Sequence, residues 1–241
     1  MSQPATTSPA PPMTVRRREE VCASEIGQTF RSEHGRSMPG GGQPMDELSL
    51  HILDIALNSF EAGASRVEVA VLEDPARDRL TVEIHDNGRG MDADILAQAV
   101  DPFFTTRPTR TGGLGLPLLR QAAEAAGGRL QVRSVPRLGT SVTAEFQASR
   151  ADRAPLGDLD STFMVLVTSR PDVEVVLTHR RGADGYELSS ADLREAIGGL
   201  GLTSPEGVAL AREAIRHCEA GLARAGAASG AGQGPTEGAG A

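Results

Sequence analysis

Apolar and polar residues change rhythm several times along the chain, and each rhythm predicts an element. Over 46–62, Leu50, Leu53, Leu57 and Phe60 recur at three- and four-residue steps, as do Leu48, Ile52 and Ile55. That period predicts an amphipathic helix, capped by Asp46 and ended at Gly63. A period of two follows. Val67, Val69 and Val71, then Leu80, Val82 and Ile84, alternate with polar neighbours around a Glu73–Asp78 turn, which predicts a hairpin over 66–86. A helix over 92–100 and another over 116–126 come next, the second with Pro117 in its first turn and Gly127-Gly128 at its end. Leu130 and Val132, then Val142, Ala144 and Phe146, mark two more strands across a Pro136–Thr140 turn.

The pattern breaks near residue 150, where we place a boundary. Beyond it we expect a helix over 158–169, a strand over 173–180 and a turn at Gly182–Gly185. A short return strand at Tyr186–Leu188 leads to a helix over 191–198 capped by Ser190, and a last helix covers about 205–222. His179, Arg180 and Arg181, at a strand end, are expected to face solvent. Residues 1–44 are rich in Pro, Ser, Thr and Gly and read as a disordered tail, with Met45 a candidate for the true start; residues 223–241, mostly Gly and Ala, read as a flexible tail. The domains are therefore 45–150 and a smaller 151–222.

Composition narrows the function. Of 241 residues 39% are hydrophobic but only 3% aromatic, so the core must be aliphatic. A formal net charge of −8 argues against a nucleic-acid coat or a polybasic membrane anchor. Two distant cysteines, Cys22 and Cys218, give no metal spacing and no disulfide framework. No apolar run approaches the roughly 20 residues that span a bilayer. The expectation is a soluble, cytoplasmic chain.

Candidate chemistry lies in four pieces. Asp54 and Asn58 stand one helical turn apart and point the same way. Asp86-Asn-Gly-Arg-Gly90 follows a strand: the carboxylate can accept from an amine, and Gly88 and Gly90 let backbone come close to a planar ligand. Phe103-Phe-Thr-Thr106 lies in a polar loop. Gly112-Gly-Leu-Gly-Leu116 opens a helix, where backbone N–H groups attract phosphate. Each piece has a bland reading as well: Asp-Asn-Gly is a turn signal, and Asp54 with Asn58 is what the wet face of a helix presents. Together they suit an ATP site. Asp86 would take the adenine amine, Asn58 would offer an oxygen to Mg²⁺, and Asp54 would act on the nucleophile beside the γ-phosphate as base or orienter.

In this order the pieces resemble the GHKL superfamily, the ATP-binding fold shared by histidine kinases, DNA gyrase, heat-shock chaperone ATPases and mismatch-repair ATPases. Asp54 with Asn58 resembles the N box, Asp86–Gly90 the first glycine box, Asp101–Thr106 the F box, Gly112–Leu116 the second glycine box and Leu138-Gly-Thr140 the third. The resemblance implies an α+β, Bergerat-type two-layer sandwich. Its mixed, mainly antiparallel sheet would carry helices 46–62, 92–100 and 116–126 on one face, with a small αββα appendage after it. It also implies nucleotide contacts from Asn58, Asp86, Gly88, Gly90, Phe104, Thr105, Gly113, Leu114, Gly115, Leu116 and Thr140, with Asn58 on Mg²⁺ and Asp54 as the catalytic group. Asp152-Arg-Ala-Pro-Leu-Gly157 is similar to a segment of a small stand-alone group of these ATPases, found beside hydrogenase or NADH-dehydrogenase-like genes.

Departures refine the expected activity. Asp54 is a carboxylate where histidine kinases often carry Asn, which sides with hydrolysing members and with serine kinases that act on partners; it is one methylene shorter than their Glu. Neither His51 nor His34 is followed by the acidic residue and Arg of a phosphoacceptor histidine, so autophosphorylation is not expected. The reading is an ATP- and Mg²⁺-dependent regulatory kinase of Ser/Thr type acting on a protein partner, or a slow ATPase. The alternative is a non-catalytic ATP-sensing module that docks a partner.

Overall fold

The structure is a computed structural model, and it describes residues 47–99 and 115–230. Six α-helices occur there: α1 (Leu48–Glu61), α2 (Ala93–Ala99), α3 (Gly115–Ala125), α4 (Leu159–Ser169), α5 (Ser190–Ala196) and α6 (Pro205–Gly230). The strands are β1 (Arg66–Asp74), β2 (Arg79–Asp86), β3 (Arg129–Val135), β4 (Gly139–Gln147), β5 (Glu174–Arg181) and β6 (Asp184–Ser189). They form one sheet in the order β3-β4-β2-β1-β5-β6. Every pairing is antiparallel except β1 with β5. This is the α+β sandwich, with a mixed, mainly antiparallel sheet, that the sequence predicts.

Register explains the layers. Val69 stands opposite Ile84 and Leu177, and Ile84 opposite Val142. Val71 stands opposite Val82, and Val82 opposite Ala144. These rows are buried and face the helices, while the alternate residues form a face of mixed charge. There Arg79 and Arg129 reach Glu145, and Arg66 reaches Glu68 and Glu174. Exposed pairs of this kind contribute about 0–1 kcal/mol each, so the aliphatic rows, at roughly 1.5–3 kcal/mol per buried side chain, hold the sandwich together.

Helix α1 buries Leu48, Ile52, Ile55, Ala56, Ser59 and Phe60. Leu50, Leu53 and Leu57 are only half-buried, and they share their side of the helix with Asp54 and Asn58. The expected Asp46 cap lies outside the described residues, and Glu47 holds the N-cap position without capping a backbone N–H through its side chain. The first turn is satisfied from elsewhere: Leu48 N–H donates to the Pro155 carbonyl at 2.9 Å and Ser49 N–H to that of Leu156 at 2.8 Å. Gly63, at φ +77°, ends the helix by donating to Phe60 O. Helix α2 lies beside β3 but buries no side chain, so the expected cover from 92–100 is slight.

After residue 150 the chain continues the same sheet, because β5 pairs with β1 along its full length. The α5 cap is Ser189, not Ser190: Ser189 and Asp192 bond reciprocally in a capping box. Ser190 is fully buried and its hydroxyl accepts from Val175 N–H. Helix α6 runs past residue 222 to Gly230, through an Ala-rich stretch of high helix propensity that composition alone read as tail. Residues 1–44, read as a disordered tail, lie outside the described residues.

His179 is the clearest correction. It was expected to face solvent, but parallel pairing sets it opposite Val71 on the helix-covered side, 4% exposed. Its Nδ1 lies 2.9 Å from Glu219 Oε1 on α6 and its Nε2 lies 3.0 Å from Glu73 Oε1 on β1. Tyr186 donates its hydroxyl to the same Glu219 oxygen at 2.5 Å. Burial alone would lower the imidazole pKa, but the two carboxylates outweigh it and raise it to about 9. Among the described residues no helix is long and apolar enough to cross a membrane.

Candidate functional site

Strand β2 delivers Asp86 to the end of a sheet row, opposite Val67 on one side and Thr140 on the other. Its carboxylate is fixed from three directions. Oδ1 accepts from the Gly88 N–H at 2.9 Å and the Thr140 N–H at 3.3 Å, and Oδ2 accepts from the Ser59 hydroxyl at 2.9 Å. A carboxylate has about four acceptor positions, so Asp86 keeps acceptor capacity for an outside donor after these bonds. Ser59 comes from α1, directly after Asn58, and ties the helix that carries Asp54 and Asn58 to the strand that carries Asp86.

The glycines of this loop serve the chain itself. A Cβ on Gly90, at φ +63°, would lie 2.0 Å from Val135 O, and one on Gly139, at φ +107°, would lie 1.9 Å from Asp86 O. Both positions therefore need glycine for backbone packing and for a positive φ. Gly88 has a different constraint: a Cβ there would lie 3.0 Å from Ala62 Cβ, and its N–H is already committed to Asp86. Asn87 is a loop clamp, its Oδ1 accepting from the N–H groups of Ser65 and Arg66. The loop is fastened to the β3–β4 turn by Arg137 N–H to Arg89 O at 2.7 Å and Met91 N–H to Ser134 Oγ at 2.8 Å.

Asp54 and Asn58 are half-buried on α1, on the side away from Ile52, Ile55 and Phe60. Gly115 meets Asp54 where α3 begins: a Cβ on Gly115 would lie 2.3 Å from Asp54 Oδ2. The glycine thus admits the carboxylate to the N-terminal end of α3, beside which Leu116 is half-buried. Thr140 is half-buried on β4, and its hydroxyl lies 2.9 Å from Ser134 Oγ. Phe104, Thr105, Gly113 and Leu114 lie outside the described residues, so the structure joins Asp86, Gly88, Thr140 and Asp54–Gly115 through α1, with none of 101–106 and only Gly115 and Leu116 of 112–116 described.

Sequence reading missed Ser59 and Ser134. Ser59 could have been found, because it is the residue after Asn58 and turns toward the sheet when Asn58 turns away. Ser134 becomes visible only from β3–β4 register, where it is the cross-strand partner of Thr140. Among the described residues no three His, Cys, Asp or Glu side chains converge on a metal position. A single Asn58 oxygen suits Mg²⁺ held mainly by phosphates and water.

Residues 43–150 match the family described as histidine kinase-, DNA gyrase B-, and HSP90-like ATPase. The chain is 34% identical over 88 residues to the sensor protein kinase WalK of Staphylococcus aureus, covering 34% of this chain and 21% of that protein. It is 33% identical over 93 residues to the signal transduction histidine-protein kinase AtoS of Escherichia coli, covering 38% of this chain and 15% of AtoS. The chain thus spans a small part of the curated relatives it matches. Similar solved structures include the Aquifex aeolicus MutL ATPase domain complexed with ADP, at 17% identity and TM-score 0.40 over 64% of this chain and 68% of that one. An N-terminal domain of a DNA repair protein aligns at 14% identity and TM-score 0.43 over 67% and 58%. The match to the histidine kinase-, DNA gyrase B- and HSP90-like ATPase family thus covers residues 43–150, the segment that holds α1 and the strand-end Asp86.

Proposed function

We propose that the chain binds ATP with Mg²⁺ between α1, the β2 end and the start of α3, and transfers the γ-phosphate to a hydroxyl on a partner protein or slowly to water. One observation carries this reading: a carboxylate, Asp86, held by Ser59, Gly88 and Thr140 with acceptor capacity to spare. An acceptor-only group, pre-oriented at a sheet end, suits an exocyclic amine and rejects a carbonyl, which favours adenine over guanine. Asn58 would supply the protein oxygen to Mg²⁺, Thr140 a base contact, and Asp54 the proton acceptor for the attacking hydroxyl. WalK and AtoS are kinases by name; the transfer reaction proposed here draws on that likeness and on the carboxylate at position 54.

Calorimetry of Asp86→Ala tests it. The adenine amine would lose its acceptor, and ATP affinity should fall by the equivalent of roughly 1–3 kcal/mol, with adenine-over-guanine preference falling too. Wild-type affinity in that variant would refute the assignment. A second reading, a non-catalytic ATP sensor that docks a partner, is favoured by the short side chain of Asp54, one methylene less than a Glu, which shortens its reach toward a nucleophile.

A further inference from the structure

We propose that the tip of the β3–β4 hairpin, with the loop beside it, is a docking surface for an acidic and apolar segment of a partner protein. Three of the five large apolar side chains that stand exposed among the described residues lie at this end of the fold: Leu138 at 75%, Val135 at 51% and Ile95 at 46%. Val135 and Leu138 flank the turn between β3 and β4, and Ile95 is on α2, which lies beside β3. A single exposed apolar residue is ordinary, but three together mark a surface that something covers. The tip is held firmly. Leu138 N–H donates to Val135 O at 3.0 Å, and Arg137 N–H donates to Arg89 O at 2.7 Å. On the α2 side Asp92 is already engaged, its Oδ1 accepting from Ile95 N–H at 2.9 Å. A surface fixed in this way loses little freedom when a partner covers it.

Charge identifies the partner. Arg89, Arg133 and Arg137 are exposed at the same end, and Arg133 shares its face of β3 with Val135, two residues on. Arg137 is kept there against the preference of the backbone. It follows Pro136 in the turn at φ +65°, a position that suits Gly or Asn. The other non-glycine residue at positive φ among the described residues, Asp78, uses its carboxylate to bond Gln147 and Ser149. The Arg137 side chain makes no hydrogen bond or ion pair among the described residues, so the strain serves no contact within the fold. Guanidinium groups beside apolar side chains suit carboxylates set beside a Leu or Phe. An anionic bilayer fits less well, because the chain carries a formal net charge of −8. A second copy also fits less well, because a two-fold contact would set the same arginines face to face.

Selection of short random peptides displayed on phage against the full chain tests the idea, followed by fluorescence anisotropy of the enriched peptides. These should carry Asp or Glu beside a Leu, Phe or Met, and their binding should weaken as salt rises. Leu138→Ser and Arg137→Gly should each weaken binding by roughly tenfold. Arg137→Gly also guards against a folding artefact: glycine relaxes the turn, so this variant should melt at or above the wild-type temperature while binding less. No enrichment, enriched peptides that are basic or uncharged, or equal binding by either variant would overturn the proposal. Two further measurements address the other occupants. Flotation of the wild type, but not of Leu138→Ser, with phosphatidylglycerol vesicles would assign the surface to a membrane instead. Self-association in sedimentation that Leu138→Ser abolishes would assign it to a second copy.

Discussion

Raising the pH from 7 to 9 should destabilise this protein through one histidine. His179 is clamped between Glu73 and Glu219, with its pKa raised from 6.5 to about 9. A group whose folded pKa is raised contributes stability that is fully present below its unfolded pKa, near 6.5, and is lost as pH rises through the folded value. Each pH unit inside that window costs up to about 1.4 kcal/mol, so the loss between pH 7 and 9 is roughly 2 kcal/mol. His85, whose pKa the neighbouring Glu83 also raises above 6.5, is present in both proteins compared below, and two carboxylates lie outside the window. Burial, with Glu219 and Asp158 nearby, pushes Asp160 up to about 6, so it has mostly titrated by pH 7. His179 lowers the Glu73 pKa, placing that transition far below the window. The assay is urea unfolding at half-unit steps from pH 6.5 to 9.5, on wild type and on His179→Gln. Wild type should lose roughly 2 kcal/mol and the variant should be nearly flat, though less stable at pH 7 by about 3 kcal/mol because two carboxylates are left facing each other. Parallel curves for the two proteins would refute the clamp as the source of the slope.

Gly139→Ala should lower stability by more than about 2 kcal/mol, since its Cβ would lie 1.9 Å from the Asp86 carbonyl oxygen at a φ that L residues rarely adopt; thermal melting checks it. Gly115→Ala should do the reverse. Alanine favours the helix by about 0.5–1 kcal/mol, and the clash falls on the movable Asp54 carboxylate, so melting should hardly change. Phosphate release or transfer should nevertheless fall as far as in Asp54→Asn, by roughly 10²-fold if Asp54 is the base. Full activity in Gly115→Ala would show that the Asp54 position does not matter to the chemistry.

Strands β1, β2 and β4 were legible because their inner positions are Val, Leu, Ile, Ala or Phe and their outer positions polar, and the hairpin between β1 and β2 is local. The pairing of β5 with β1 was not, because a parallel neighbour is chosen by the whole sheet and leaves no local mark. That is why His179 was read as exposed: its neighbours Arg180 and Arg181 look like a strand end, but a single residue of register decides which face a side chain takes. On α1 both apolar rows were visible, yet only packing distinguishes the buried row of Leu48, Ile52 and Ile55 from the half-buried Leu50, Leu53 and Leu57. In the candidate site, Asp86, Asp54 and Asn58 stand out by residue type and spacing, and the structure places them on the predicted strand end and helix. The purpose of Gly90 was not: its place after the strand-end Asp86 suggests room for a planar ligand, whereas a Cβ there would meet the Val135 carbonyl.

The family match ends at residue 150, but the physical unit does not. The N–H groups that open α1 are satisfied by the carbonyls of Pro155 and Leu156, and Thr162 Oγ1 donates to Ser49 O at 3.3 Å. Arg153 braces this strap by bonding the Ala148 and Ala154 carbonyls. Gly157 closes it at φ +80°, where a Cβ would lie 2.3 Å from Ser49 Oγ and 2.5 Å from Glu47 Oε2. Since α1 carries Asp54, Asn58 and Ser59, the segment after 150 anchors the helix on which the candidate chemistry depends. A chain cut after residue 150 would leave the opening N–H groups of α1 without partners and would expose β1 along the edge that β5 covers. It should aggregate or melt well below the full chain. Gly157→Ala probes the same link without deletion. Strain at positive φ and the crowding of Ser49 should cost about 1–3 kcal/mol and raise hydrogen exchange in the first turn of α1. Exchange at Leu48 and Ser49 equal to wild type in that variant, with a cut chain that melts normally, would show that the segment up to residue 150 stands alone.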